Sequence, residues 1–124
     1  MNPDVEIGLE EAREYARNGR SIFVFINNPG ELELVREVLG AGETVHDMDI
    51  GVARQIVFGD GNRAALEKIG KEFQDAVIVC PHGRTSLKFA NALSEIGITA
   101  YSLKGGIEGL KSRVQPDASD AGIQ

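Results

Sequence analysis

Two unbroken apolar runs constrain this chain most: Ile22-Phe23-Val24-Phe25-Ile26 and Ala76-Val77-Ile78-Val79. Each has the length of a strand, and neither alternates with polar residues. A strand that is apolar at every position must be covered on both faces, as in a parallel sheet held between layers of helix. Segments with helical spacing lie between these runs, so strand-like and helix-like stretches alternate along the chain. That order predicts an α/β fold with an open, mostly parallel central sheet flanked by helices. With 124 residues there is room for one core only. We expect a single domain over residues 1–114 and a polar tail over residues 115–124.

The elements can be placed in outline. Leu9, Ala12 and Ala16 recur at helical spacing, with Gly19 as the stop. After the first apolar strand, Asn28 suits a helix N-cap, Pro29 the first helical position and Glu31 the first turn. Leu32, Val35 and Leu39 would be its buried side, closed by Gly40. Thr44-Val45 and Gln55-Ile56-Val57-Phe58 read as two short strands, and Gly59-Asp60-Gly61-Asn62 as a turn. Leu66, Ile69 and Phe73 define the next helix, which Gly70 weakens by roughly 1 kcal/mol relative to Ala. The Ala76–Val79 strand ends at Cys80. Leu87, Ala90, Leu93 and Ile96 mark a helix ended by Gly97. Ile98–Leu103 is a last strand, Gly105-Gly106 a turn, and Ile107, Leu110 and Val114 a short final helix.

Composition excludes several classes of function. A net charge of −6 repels phosphate backbones and anionic headgroups, so nucleic acid and membrane surfaces are not expected partners. Met1-Asn2-Pro3-Asp4 has neither the basic start nor the apolar run of a secretory signal, and no apolar run is long enough to span a bilayer. The single cysteine cannot form an internal disulfide and suits a reducing compartment, so the expected location is the cytoplasm. One Cys and two separated His offer no zinc spacing; neither a metal nor a cofactor is expected.

The chemistry should lie where strands end, because ligands of open α/β sheets bind outside the carboxyl ends of the strands. Cys80-Pro81-His82-Gly83-Arg84-Thr85-Ser86 joins the second apolar run to a helix start. Such a loop can curl until successive backbone N–H groups face one point, beside the positive end of the helix. Gly83 permits the curl. A Cys80 sulfur inside this ring, with the Arg84 guanidinium near, is stabilised as the thiolate and becomes a nucleophile. His82 reads as a loop residue, Arg84 as able to orient an anion at the pocket mouth, and Thr85 and Ser86 as helix-capping residues.

Val77-Ile78-Val79-Cys80-Pro81-His82-Gly83-Arg84-Thr85-Ser86 resembles the active loop of rhodanese-family sulfurtransferases, closest to single-domain members with Cys-x-His-Gly-x-Ser-Ser. The likeness continues through Ala92-Leu93-Ser94-Glu95-Ile96-Gly97 and Tyr101-Ser102-Leu103-Lys104-Gly105-Gly106-Ile107, so that it covers residues 76–110. Ile50-Gly51-Val52-Ala53-Arg54-Gln55-Ile56 is a fainter echo of the family's Ile-Pro-Gly-Ala-x-Asn-Ile. The chain departs from the family at Asn27-Asn28-Pro29-Gly30, where an Asp-x-Arg pair is usual, and at Leu110, near a usual tryptophan. The resemblance implies a rhodanese-like fold and a sulfurtransferase that moves sulfane sulfur from a thiosulfate-type donor, through a Cys80 persulfide, to an external thiol or cyanide. Cys80 would be catalytic, with Pro81, His82, Gly83, Arg84, Thr85 and Ser86 around the substrate. The implied partners are a small sulfur donor and a thiol acceptor, the latter small or carried on a protein.

Rival readings differ in testable ways. Phosphatase chemistry on a related scaffold needs Cys, five residues, then Arg, to fork the oxyanion; here that last position is Ser86. A thioredoxin-like reductase needs a later cis-proline beside the thiol, and the only proline after Pro81 is Pro116. A non-catalytic binding or redox-sensing module of the same fold remains the alternative, which loading of sulfur onto Cys80 distinguishes.

Overall fold

The computed structural model describes residues 5–40, 44–59 and 62–114. Five strands form one sheet in the order β1-β5-β4-β2-β3: β1 Glu6–Ile7, β2 Ile22–Ile26, β3 Val45–Asp49, β4 Ala76–Val79 and β5 Ala100–Leu103. Every pairing is parallel. The helices are α1 Leu9–Arg17, α2 Pro29–Leu39, α3 Ile50–Phe58, α4 Asn62–Ile69, α5 Arg84–Glu95 and α6 Gly106–Val114, with a 3-10 turn at Gly70–Phe73 after α4. The expected open, helix-flanked α/β sheet is thus present, and it is wholly parallel. Among the described residues no helix is long and apolar enough to cross a membrane.

Both apolar runs are buried at every position because their two faces serve different layers. Ile22, Val24, Ile26, Val77 and Val79 point into a core closed by Ala12 of α1, Val35 and Leu39 of α2, and Ile107 and Leu110 of α6. Phe23, Phe25, Ala76, Ile78 and Cys80 point the other way, onto Ala53 and Val57 of α3, Leu66 of α4, and Phe89 and Leu93 of α5. Phe23, Phe73, Phe89 and Phe25 make a chain of ring contacts in this second layer, with centroids 4.2–5.0 Å apart. Such pairs contribute about 1 kcal/mol each beyond their burial. Through Phe89 they fasten α5 to the sheet, which fixes where that helix begins.

The caps follow the side chains. The Asn28 side chain accepts the Glu31 N–H, and the Glu31 carboxylate accepts the N–H groups of Asn27 and Asn28, a complete capping box at the head of α2. One expectation is overturned. Gln55–Phe58 is the last part of α3 and not a strand. Asp49 accepts the N–H groups of Gly51 and Val52 at 2.7 and 3.3 Å, which starts a helix, and Ala53 and Val57 then bury one stripe of it. The strand before it runs on to Asp49, beyond the expected Thr44-Val45. Of the expected turn, Gly59 caps α3 and Asn62 opens α4; Asp60 and Gly61 lie outside the described residues, as does the tail 115–124. The two-residue β1 was not foreseen. Gly70 falls just past α4, where its missing Cβ admits the Ile98 side chain.

From β2 the chain moves to β3 at one edge; from β4 it moves to β5 on the other side. Adjacent strands whose connections leave in opposite directions open a crevice at their carboxyl ends. Cys80 follows the end of β4, and Asn27 follows the end of β2.

Candidate active site

The Cys80 side chain is 2% exposed, and its sulfur is engaged by the backbone. The Gly83 N–H donates to Sγ at 3.1 Å and the Ser86 N–H donates to it at 3.2 Å. Gly83 is the N-cap of α5, with φ +87°, and no side chain caps the helix. Sulfur does the capping instead: an N–H in the first turn, which has no partner within the helix, is spent on Sγ. The expectation that Thr85 and Ser86 cap α5 is therefore corrected. Ser86 is wholly buried, and its hydroxyl bonds that of Ser102 on β5 at 2.7 Å. Its contribution to the sulfur is its backbone alone.

What holds the loop in this curl is the first turn of α6. The N–H groups of Ile107 and Glu108 donate to the carbonyls of Cys80 and Pro81 at 2.9 and 3.0 Å. With those oxygens drawn toward α6, the loop turns its next amides toward sulfur. Gly83 and Gly106 make the close approach feasible: a Cβ on Gly83 would lie 3.1 Å from the Gly105 nitrogen, and one on Gly106 would lie 2.6 Å from the Gly83 nitrogen. The two glycines after β5 are thus part of the site's foundation.

Above the sulfur lies a pocket of about 330 Å³. Cys80, Pro81, His82, Arg84 and Thr85 line one side. Ile50, Arg54 and Phe58, at successive turns of one face of α3, line the other, with Asn27 from the end of β2. Of the expected substrate-binding residues, Pro81, His82, Arg84 and Thr85 reach the pocket, whereas Gly83 and Ser86 act from beneath it through N–H groups. Reading Gln55–Phe58 as a strand hid the α3 wall. The signal for it was in the chain: Asp49 as a cap, then Ile50, Arg54 and Phe58 at steps of four.

The charge of the pocket opposes that of the molecule. The chain carries 19 acidic and 13 basic residues, yet among the described residues the lining includes Arg54, Arg84 and His82 and no carboxylate. Two guanidinium groups and the positive end of α5 together favour an anionic ligand in this pocket, above a sulfur that accepts two backbone amides. Among the described residues no cluster of His, Cys, Asp and Glu suits a metal ion. The chain matches no protein-family model, curated protein or solved structure.

Proposed function

We propose that this protein is a sulfurtransferase of the rhodanese type, carrying sulfane sulfur on Cys80. The observation that carries this reading is the sulfur itself: a single thiol at the floor of a cationic pocket, accepting the N–H groups of Gly83 and Ser86. The Cys80 thiolate attacks the outer sulfur of thiosulfate. An S–S bond forms to Sγ, the S–S bond of the donor breaks, and its electron pair leaves with sulfite. The resulting persulfide carries its charge on the outer sulfur, in the pocket that Arg54 and Arg84 border. An acceptor thiolate then attacks that outer sulfur, and the bond to Sγ breaks with its electron pair returning to Cys80. This is covalent catalysis in two displacements. With one cysteine in the chain, the second displacement needs an acceptor from outside.

Phosphoryl transfer fits the geometry less well, because Ser86 stands where the forked arginine would be and its side chain is occupied by Ser102. Intact mass spectrometry after incubation with thiosulfate tests the proposal. Wild type should gain the mass of one sulfur atom, keep it through buffer exchange and lose it to cyanide, while Cys80→Ala gains nothing. A folded wild type with a free thiol that takes up no sulfur from thiosulfate or another sulfane donor would leave the non-catalytic module as the better account.

A further inference from the structure

We infer that the groove continuing from the Cys80 pocket along α5 seats the sulfur acceptor, and that this acceptor is a thiol on an extended, acidic peptide segment; this rests on the sulfur-transfer reading above. A second concavity, of about 520 Å³, adjoins the first and shares Phe58 and Arg84 with it. Its floor is a stripe of α5 that includes Leu87, Lys88, Asn91 and Glu95. From Arg84 to Glu95 that stripe runs about 16 Å at the helical rise of ~1.5 Å per residue. A thiosulfate-sized anion fits the first pocket alone. The added length matches about five residues of extended chain at ~3.3 Å each.

Charge and exposure state what such a segment should carry. Arg84 and Lys88 lie at the end nearest the sulfur and Glu95 at the far end, so acidic residues beside the thiol are favoured. Phe58 supplies the apolar wall. Phe23, Phe25, Phe73 and Phe89 form the core, whereas Phe58, the remaining one of the chain's five, is 59% exposed. The Lys88 ammonium stands 5.8 Å from its ring centre, so apolar and cationic contacts lie side by side where the two concavities join. In the transfer, the peptide thiolate attacks the outer persulfide sulfur, its thiol proton goes to solvent, and Cys80 is released as thiolate.

The test uses the full chain and labelled five-residue peptides in which serine replaces the thiol, flanked by Glu or by Lys, with binding read by fluorescence anisotropy. The Glu-flanked peptide should bind roughly tenfold more tightly than the Lys-flanked one. Lys88→Glu should weaken it roughly threefold to tenfold and Glu95→Lys should tighten it, with thiosulfate loading unchanged in both variants. Cysteine versions of the same peptides should unload sulfur from the loaded protein in the same order, faster than a free small thiol. Equal binding of the two peptides, indifference to Lys88→Glu, or equal unloading by a small thiol would overturn the inference. Failure to load sulfur at all counts against the sulfur-transfer reading instead, and the anisotropy measurement, which needs no sulfur, still decides the groove.

Discussion

The backbone N–H of Ile107 donates to the carbonyl of Cys80 at 2.9 Å, so the residue that carries the thiol is positioned by a helix that contributes nothing to the pocket lining. The first N–H groups of any helix lack partners within it. In α6 two of them are used to fasten the loop, and in α5 the corresponding need is met by the sulfur. One strand end, one loop and two helix starts thus satisfy each other around Cys80.

Gly106 is the tightest point of that arrangement. It has φ +58°, and a Cβ there would overlap the Cys80 carbonyl oxygen. Gly106→Ala should lower stability by roughly 3 kcal/mol or more and disturb the reactivity of Cys80 in whatever protein stays folded. Gly97→Ala is the control, because Gly97 also has positive φ, +85°, but no atom of the described residues within 4 Å of the added Cβ. It should cost only about 1 kcal/mol. Urea denaturation of both variants measures the difference, and equal losses would refute the close approach.

The Ser86 and Ser102 hydroxyls, both wholly buried and 2.7 Å apart, tie the start of α5 to β5. Removing one leaves the other without its partner, at a cost of about 1–3 kcal/mol. Ser86→Ala and Ser102→Ala should each be destabilising, and the double variant should lose less than the two single losses added. Strict additivity in denaturant titrations would show that the pair contributes nothing as a pair.

How far the chain could be read followed how local each signal was. The strand before Cys80, the Asn28 cap and the link from Cys80 to a helix are each written in consecutive residues; the strand and the cap appear where expected, and the loop is shorter than expected because α5 already begins at Arg84. The wall formed by Arg54 and Phe58 was lost because Ile56-Val57-Phe58 favours a strand by residue type, while the Asp49 cap and the buried face of Ala53 and Val57 make it a helix. Leu87 marks the α5 helix by its spacing with Ala90 and Leu93. It is half-exposed on the outer stripe, and Phe89 takes the buried place. The α6 contacts to the loop were illegible for a different reason: they join residues far apart in the chain through backbone atoms, which no side-chain pattern announces.

At the opposite end of β5, Tyr15 and Tyr101 meet with ring centres 5.0 Å apart, and the Arg20 guanidinium lies 4.2 Å from the Tyr15 centroid. Burial first, and the neighbouring Tyr101 second, hold the Tyr15 hydroxyl above its usual ionisation range, with Arg20 opposing them. The folded protein therefore keeps that proton to higher pH than the unfolded chain. The stability it contributes is present in full below the ordinary tyrosine value of about 10 and is lost as pH rises through the raised one. With two tyrosines in the chain, ultraviolet titration of Tyr101→Phe isolates Tyr15. Its midpoint should lie above that of the same variant in urea, and coincident midpoints would contradict the packing of this corner.

In the sulfur transfer proposed above, Arg54 and Arg84 should determine affinity for the donor more than the rate of its chemistry. Both are exposed side chains at the pocket mouth, on α3 and α5, and neither donates a hydrogen bond to Sγ, whose partners are backbone amides. An exposed cation attracts a dianion in ground state and transition state alike, so its removal raises KM and leaves kcat nearly unchanged. With thiosulfate as donor and cyanide as acceptor, Arg54→Ala and Arg84→Ala should each raise the donor KM roughly threefold to tenfold. The double variant should also flatten the rise of KM with added salt, because screening can weaken only charges that are present. Gly83 and Ser86 present their N–H groups in every one of these variants, so Cys80 should still load sulfur at saturating donor. A donor KM indifferent to both substitutions and to salt would remove the cationic mouth from the account and leave recognition to the loop amides alone.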